Sequence, residues 1–217
     1  MIFTKDLYLR TISSLILLPL TIYLSYLGSI WFMIYILFFL ILSIYEWHQM
    51  TFKIKYYYLG IIFLLFSFYC VGSIRLNDDA NSILNFTFIL LVCIGTDVGG
   101  YMFGKFFKGP KLTKISPNKT YSGVIGSYIV SLGFVYLIIL NPFNFFQNPL
   151  QLNLNILIKS LVLSSVCQIG DLLISFFKRK SDIKDTGKII PGHGGVLDRI
   201  DGMIFAFPTF YILNLIK

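Results

Sequence analysis

Apolar residues run along this chain in unbroken stretches rather than in stripes or alternations. The stretches cover residues 11–28, 30–45, 56–74, 82–95, 121–140, 154–177 and 203–216, with short polar intervals between them. Segments that are apolar on every face predict helices surrounded by lipid or by one another. The fourth and seventh are short for a bilayer that needs about 20 residues per helix, so they are expected to tilt little or to pack inside the bundle. The predicted fold is all-α, a polytopic membrane helix bundle of about seven transmembrane helices. The first stretch follows Lys5 and Arg10 as a signal peptide would, but it lacks an A-x-A-like cleavage site and more spans follow it. It is expected to be a retained helix.

Composition sharpens this picture without changing it. Hydrophobic residues make up 56% and charged residues 13% of the 217, and the mean hydropathy of +0.77 leaves no room for a large soluble domain. A net charge of +8 raises the question of nucleic acid, and the positions of the bases answer it. With the N-terminus cytoplasmic, fifteen of the eighteen Lys and Arg residues fall on the inner side and only Arg75 and Lys217 outside, while Lys159 near the outer end of the sixth span can snorkel outward. No nucleic acid is needed. Cys70, Cys93 and Cys167 lie in or beside apolar stretches without paired spacing, so they are expected to be small hydrophobes. The outer loops are short or uncharged apart from "RLNDDANS". Residues 1–95 are therefore expected to form N-terminal membrane helices. Residues 96–217 are expected to form a catalytic membrane domain with cytoplasmic loops at 96–120 and 178–202.

Those two loops hold the candidate chemistry. Asp171 lies near the inner end of an apolar span, where a carboxylate needs water, a cation or a partner. Ser175 and Lys178 follow it on one helix face and lead into Lys178-Arg179-Lys180. A salt bridge with positive-inside anchors would explain these residues equally well. Downstream, "PGHGGVLDRID" combines three glycines, His193, Asp198, Arg199 and Asp201. Backbone around Gly194 and Gly195 can turn N–H groups toward a phosphate, although such turns also join helices that bind nothing. Asp171, Asp185, Asp198 and Asp201 beside Lys178, Arg179, Lys184 and Arg199 suit a metal-bound nucleotide: carboxylates for Mg²⁺, bases for polyphosphate. A solvated loop of self-cancelling ion pairs is the alternative. His193 is expected to contact ligand rather than transfer protons, and His48 beside Glu46 to decorate the interface. In the other loop, Gly95, Gly99, Gly100 and Gly104 point to close helix packing. Asp97 is a third metal candidate. Ser116, Lys119 and Thr120 stand at the entrance of the fifth helix, as anion contacts or as caps.

Residues 171–201 resemble the signature of the phosphatidate cytidylyltransferases, or CDP-diacylglycerol synthases. A serine (Ser175) is followed after two residues by Lys178-Arg179. Lys184-Asp185 comes next, then Pro191-x-His193-Gly194-Gly195 and a closing Asp198-Arg199-x-Asp201. "SPNKTYSG", residues 116–123, is similar to the family's second motif, with Ser122 at a position that is often acidic. The resemblance implies that CTP and phosphatidate give CDP-diacylglycerol and diphosphate for phospholipid biosynthesis. It also implies a two-cation centre of Mg²⁺ with K⁺ held by Asp171 and Asp198, in the inner cell membrane, with the site on the cytoplasmic face. The implied partners are CTP, phosphatidate, the bilayer and, as one option, a second copy in a homodimer. Competing expectations are a CTP-dependent enzyme acting on an isoprenoid or ether lipid and, with charge gathered on one face only, a transporter.

Overall fold

The computed structural model describes residues 5–52, 55–77, 81–113, 116, 119–141, 146, 150–189 and 194–215, with side chains from residue 16 onward. It is a helical bundle. The elements in chain order are α1 (Lys5–Leu27), α2 (Ser29–Thr51), α3 (Tyr57–Leu76), α4 (Ser82–Phe107), α5 (Tyr121–Leu140), α6 (Leu154–Lys180), the short α7 (Leu197–Ile200) and α8 (Met203–Leu215). Among the described residues, extended pairing is confined to a single bridge between Lys111 and Thr120. Helices α2 to α6 are each long and apolar enough to cross a membrane, while 16–27 and α8 are shorter apolar helices. This is a multi-pass membrane protein.

Five of the about seven expected spans have membrane-crossing length, and α1, α2, α4 and α6 extend beyond the apolar stretches at the ends nearest the basic segments. Helix α4 crosses the expected boundary at 95/96 and ends at Phe107, so the loop expected from 96 begins twelve residues later. Its glycines permit the close helix contact that their spacing predicted. A side chain on Gly99 would meet the Gly126 carbonyl of α5, and one on Gly95 would come within 2.8 Å of the Ser131 Cα. Gly126 in turn receives Phe103. Close approach lets short hydroxyls reach across: Ser127 Oγ donates to the Thr96 carbonyl at 2.7 Å, and Thr96 Oγ1 donates to Ser164 Oγ of α6 at 2.8 Å. These bonds satisfy polar groups that lipid could not.

The core follows the same helices. Phe32, Phe86, Ile89, Val92, Leu163 and Phe207 form its centre, and a second cluster around Trp47, Leu64, Ile174 and Leu197 packs toward the inner end. Cys70, Cys93 and Cys167 are free and buried, as expected of small hydrophobes. Lys159 of α6 donates to Asn214 Oδ1 of α8 at 2.7 Å. The C-terminal ends of α2, α4 and α6 and the N-terminal end of α5 surround the segments before α5 and α7.

Candidate active site

Four separate parts of the chain meet in one cavity of about 400 Å³. Helix α4 contributes Asp97, the segment before α5 contributes Ser116, Lys119 and Thr120, and α6 contributes Gln168, Asp171 and Lys178. Asp185, Asp198, Arg199 and Asp201 come from the region around α7. Asp171 and Lys178 share a face of α6 as their spacing predicted, with Ser175 Oγ donating weakly to Asp171 Oδ1 at 3.4 Å. Thr120 is the N-cap of α5, accepting the Gly123 N–H at 3.1 Å, and it also lines the cavity. Arg179 and Lys184 are exposed and lie outside the cavity wall, Arg179 donating to the Ile183 carbonyl at 3.4 Å. His193 lies outside the described residues.

The carboxylates are held by lysines. Lys119 Nζ lies 2.5 Å from Asp171 Oδ2, and Lys178 Nζ lies 2.7 Å from Asp198 Oδ1. The second pair is well removed from water, with side chains 12% and 6% exposed. Asp198 Oδ2 accepts the backbone N–H groups of Thr186 at 2.8 Å and Gly195 at 3.0 Å, which clamps the two sides of the α6–α7 loop together. Gly194 adopts φ +86, and a side chain there would press within 2.9 Å of Asp198 Oδ2. A glycine suits both the turn and the space. Asp201 is surrounded by protein while keeping some surface on the cavity. Burial first, then the neighbouring Asp171 and Asp97, push its carboxyl above the ordinary range, and Lys178 pulls it the other way.

This donor set fits a hard cation. Asp97, Asp171 and Asp201 line one cavity, and hard divalent ions take carboxylate oxygens. Among the described residues, however, no three acidic, histidine or cysteine side chains converge tightly enough to enclose a metal by themselves. An ion held here would need phosphate oxygens or water to complete its coordination.

Two residues outside the expected set belong to this site. Glu46 of α2, only 1% exposed, accepts Thr186 Oγ1 and the backbone N–H groups of Val196 and Leu197, each at 2.8 Å. Side chains at Gly187 or Gly195 would collide with it. This carboxylate, for which the sequence alone suggested no role, fastens the loop before α7 to the N-terminal helices. A lone carboxylate in an apolar span was the available signal, the same one that singled out Asp171. The other is Gln168, one turn before Asp171, whose Nε2 is buried on the cavity wall with no hydrogen-bond partner among the described residues.

Residues 52–216 match the cytidylyltransferase family, and the chain belongs to it. It is 35% identical to a phosphatidate cytidylyltransferase of Rickettsia felis over 98% of this chain and 94% of that protein. A phosphatidate cytidylyltransferase of Rickettsia bellii is 37% identical over 97% and 91% respectively. One from Staphylococcus haemolyticus is 42% identical over 72% of this chain and 55% of its own length.

Proposed function

We propose that this protein is a nucleotidyltransferase that converts CTP and phosphatidate into CDP-diacylglycerol and diphosphate on the cytoplasmic face of the cell membrane. The observation that carries this is the joining of Asp171, Asp198, Lys119 and Lys178 in one cavity at the inner ends of the spans. A phosphatidate oxygen attacks the α-phosphorus of CTP, and the bond to the β-phosphate breaks as diphosphate leaves. Both substrates are anions, so the chief need is positive charge in the right place. A phosphate monoester with a second pKa of about 6 is already ionised near neutral pH, so no strong general base is required.

Lys119 and Lys178 meet that need by changing partners. In the free enzyme each neutralises a carboxylate, and when substrates bind each turns to a phosphate oxygen; Asp171 and Asp198, with Asp97 in reserve, are the residues that would then hold Mg²⁺. The ion, with K⁺ as its companion, would supply charge neutralisation on the triphosphate. Arg199 would serve the lipid phosphate and the His193-Gly194 turn the triphosphate, while the Gly195 N–H stays with Asp198 and those of Val196 and Leu197 with Glu46. Arg179 and Lys184, outside the cavity wall, draw the anions toward the site from the surface.

Purified protein given CTP, Mg²⁺ and phosphatidate in detergent is expected to form CDP-diacylglycerol and diphosphate in equal amounts, and EDTA is expected to stop it. Formation of CDP and a new lipid phosphate from a polyprenol would overturn the reaction. Gln168 supplies a second test, because an orphaned donor destabilises the free enzyme and is satisfied only by substrate. Gln168→Met is expected to leave the melting temperature unchanged or raised while kcat/KM falls about tenfold, near the worth of one hydrogen bond. Equal losses in both would make Gln168 a packing residue.

A further inference from the structure

Arg199 lines a second cavity as well as the first. This one, about 240 Å³, lies among α1, α2, α3, α4 and α8, and Arg199 is the only charged residue on its wall among the described residues. Its other polar side chains are turned to protein. Thr21 and Tyr35 bond each other at 2.6 Å, and Ser67 donates to the Ile204 carbonyl at 2.7 Å. Phe32, Tyr35, Ile36 and Phe39 line it from one face of α2, a ladder about 10 Å long at 1.5 Å per residue. Leu18 of α1, 40% exposed, stands at its lipid-facing side.

We propose that this cavity holds one acyl chain of the phosphatidate substrate, with the lipid phosphate seated against Arg199 in the polar cavity. The assignment rests on phosphatidate being the substrate and adds where its hydrocarbon goes. The connection through Arg199 carries it. Arg199 lines both the apolar space and the cavity that holds Lys119, Asp171 and Lys178, and phosphatidate is the substrate that joins a phosphate to long hydrocarbon. CTP has nothing to place there. Apolar cavities of this kind stay dry and take apolar guests, and one of about 150 Å³ holds benzene. By that measure this space takes about ten carbons, one chain and not two, so the second chain stays in the bilayer. Lipid tails are as apolar as the cavity wall, so selectivity comes from packing and from the tethered phosphate rather than from hydrophobic transfer.

The wild-type protein in phosphatidylcholine nanodiscs, given phosphatidate with a mid-chain diazirine, tests this directly. Photolysis is expected to label the segments around Ile36 and Leu90, and excess unmodified phosphatidate, but not added phosphatidylcholine, is expected to suppress the label. Label confined to lipid-facing positions such as Ile30, Ile62 and Ile129, or suppressed equally by phosphatidylcholine, would overturn the proposal. Val71→Trp, which fills the cavity from α3, is expected to lower the ratio of kcat/KM for dipalmitoyl over dihexanoyl phosphatidate at least tenfold; an unchanged ratio counts against it. The two claims fail separately. Wild-type turnover with label elsewhere removes the acyl site alone, whereas absence of CDP-lipid formation from any phosphatidate removes the reaction.

Discussion

Asp198→Asn is expected to lower kcat/KM by about a thousandfold, roughly 4 kcal/mol of lost transition-state stabilisation. The substitution keeps the shape of the side chain but leaves the Lys178 ammonium, 12% exposed, without its counter-ion. Removing one partner of a buried pair costs about 3–5 kcal/mol, because the remaining charge is stranded. It also weakens the acceptor that ties Thr186 to Gly195 across the α6–α7 loop. Steady-state kinetics on protein that purifies and inserts normally measure the effect, and a fall of less than tenfold would contradict the role given to the pair. Adding Lys178→Met should restore thermal stability, since no orphaned charge remains, without restoring turnover. Titrating Mg²⁺ separates a ligand from a purely structural carboxylate. If Asp198 helps to hold the ion, the Asn variant needs more of it for half-maximal activity.

The second large effect is expected at a residue outside the cavity wall. Glu46→Gln preserves volume but presents an amide N–H where the carboxylate received donors from Thr186, Val196 and Leu197. Hydrogen bonds to a charged group contribute about 1.5–3 kcal/mol each, and at least one becomes a clash of donors. The expected result is a fall in kcat of about a hundredfold with a lower melting temperature. Glu46→Asp should recover part of the activity by restoring the charge at a shorter reach. Because Glu46 acts by placing Asp198 and Arg199, kcat should suffer more than the KM for CTP. A KM effect alone would mean that Glu46 serves nucleotide binding instead.

The spans were legible because a continuous apolar run has one inexpensive conformation in lipid, the helix. Their inner limits were less so. At 95–107 the glycine spacing pointed to helix packing, as the Gly99–Gly126 approach shows, but the end of the apolar run at 95 hid how far the helix continues. Local spacing likewise put Asp171 and Lys178 on one face correctly, because helical periodicity is a short-range property. Which loop residues face inward was not accessible in that way. Arg179 and Lys184 sit in the same motif as Lys178 and Asp185, yet the loop's path carries them outside the wall. That path is set by contacts distant in sequence, above all those of Glu46, which lies 140 to 151 positions from its partners.

The bond from Val196 to Glu46 joins residues 150 positions apart, and this gives the enzyme an order of birth. While the ribosome is still making α3 to α6, Glu46 must wait in the membrane without the N–H groups it will later accept. The active centre is completed last, when the end of the chain returns to a helix inserted near its beginning. The N-terminal spans are therefore the receiving half of a latch as well as an anchor, and catalytic competence reports that the whole bundle has assembled.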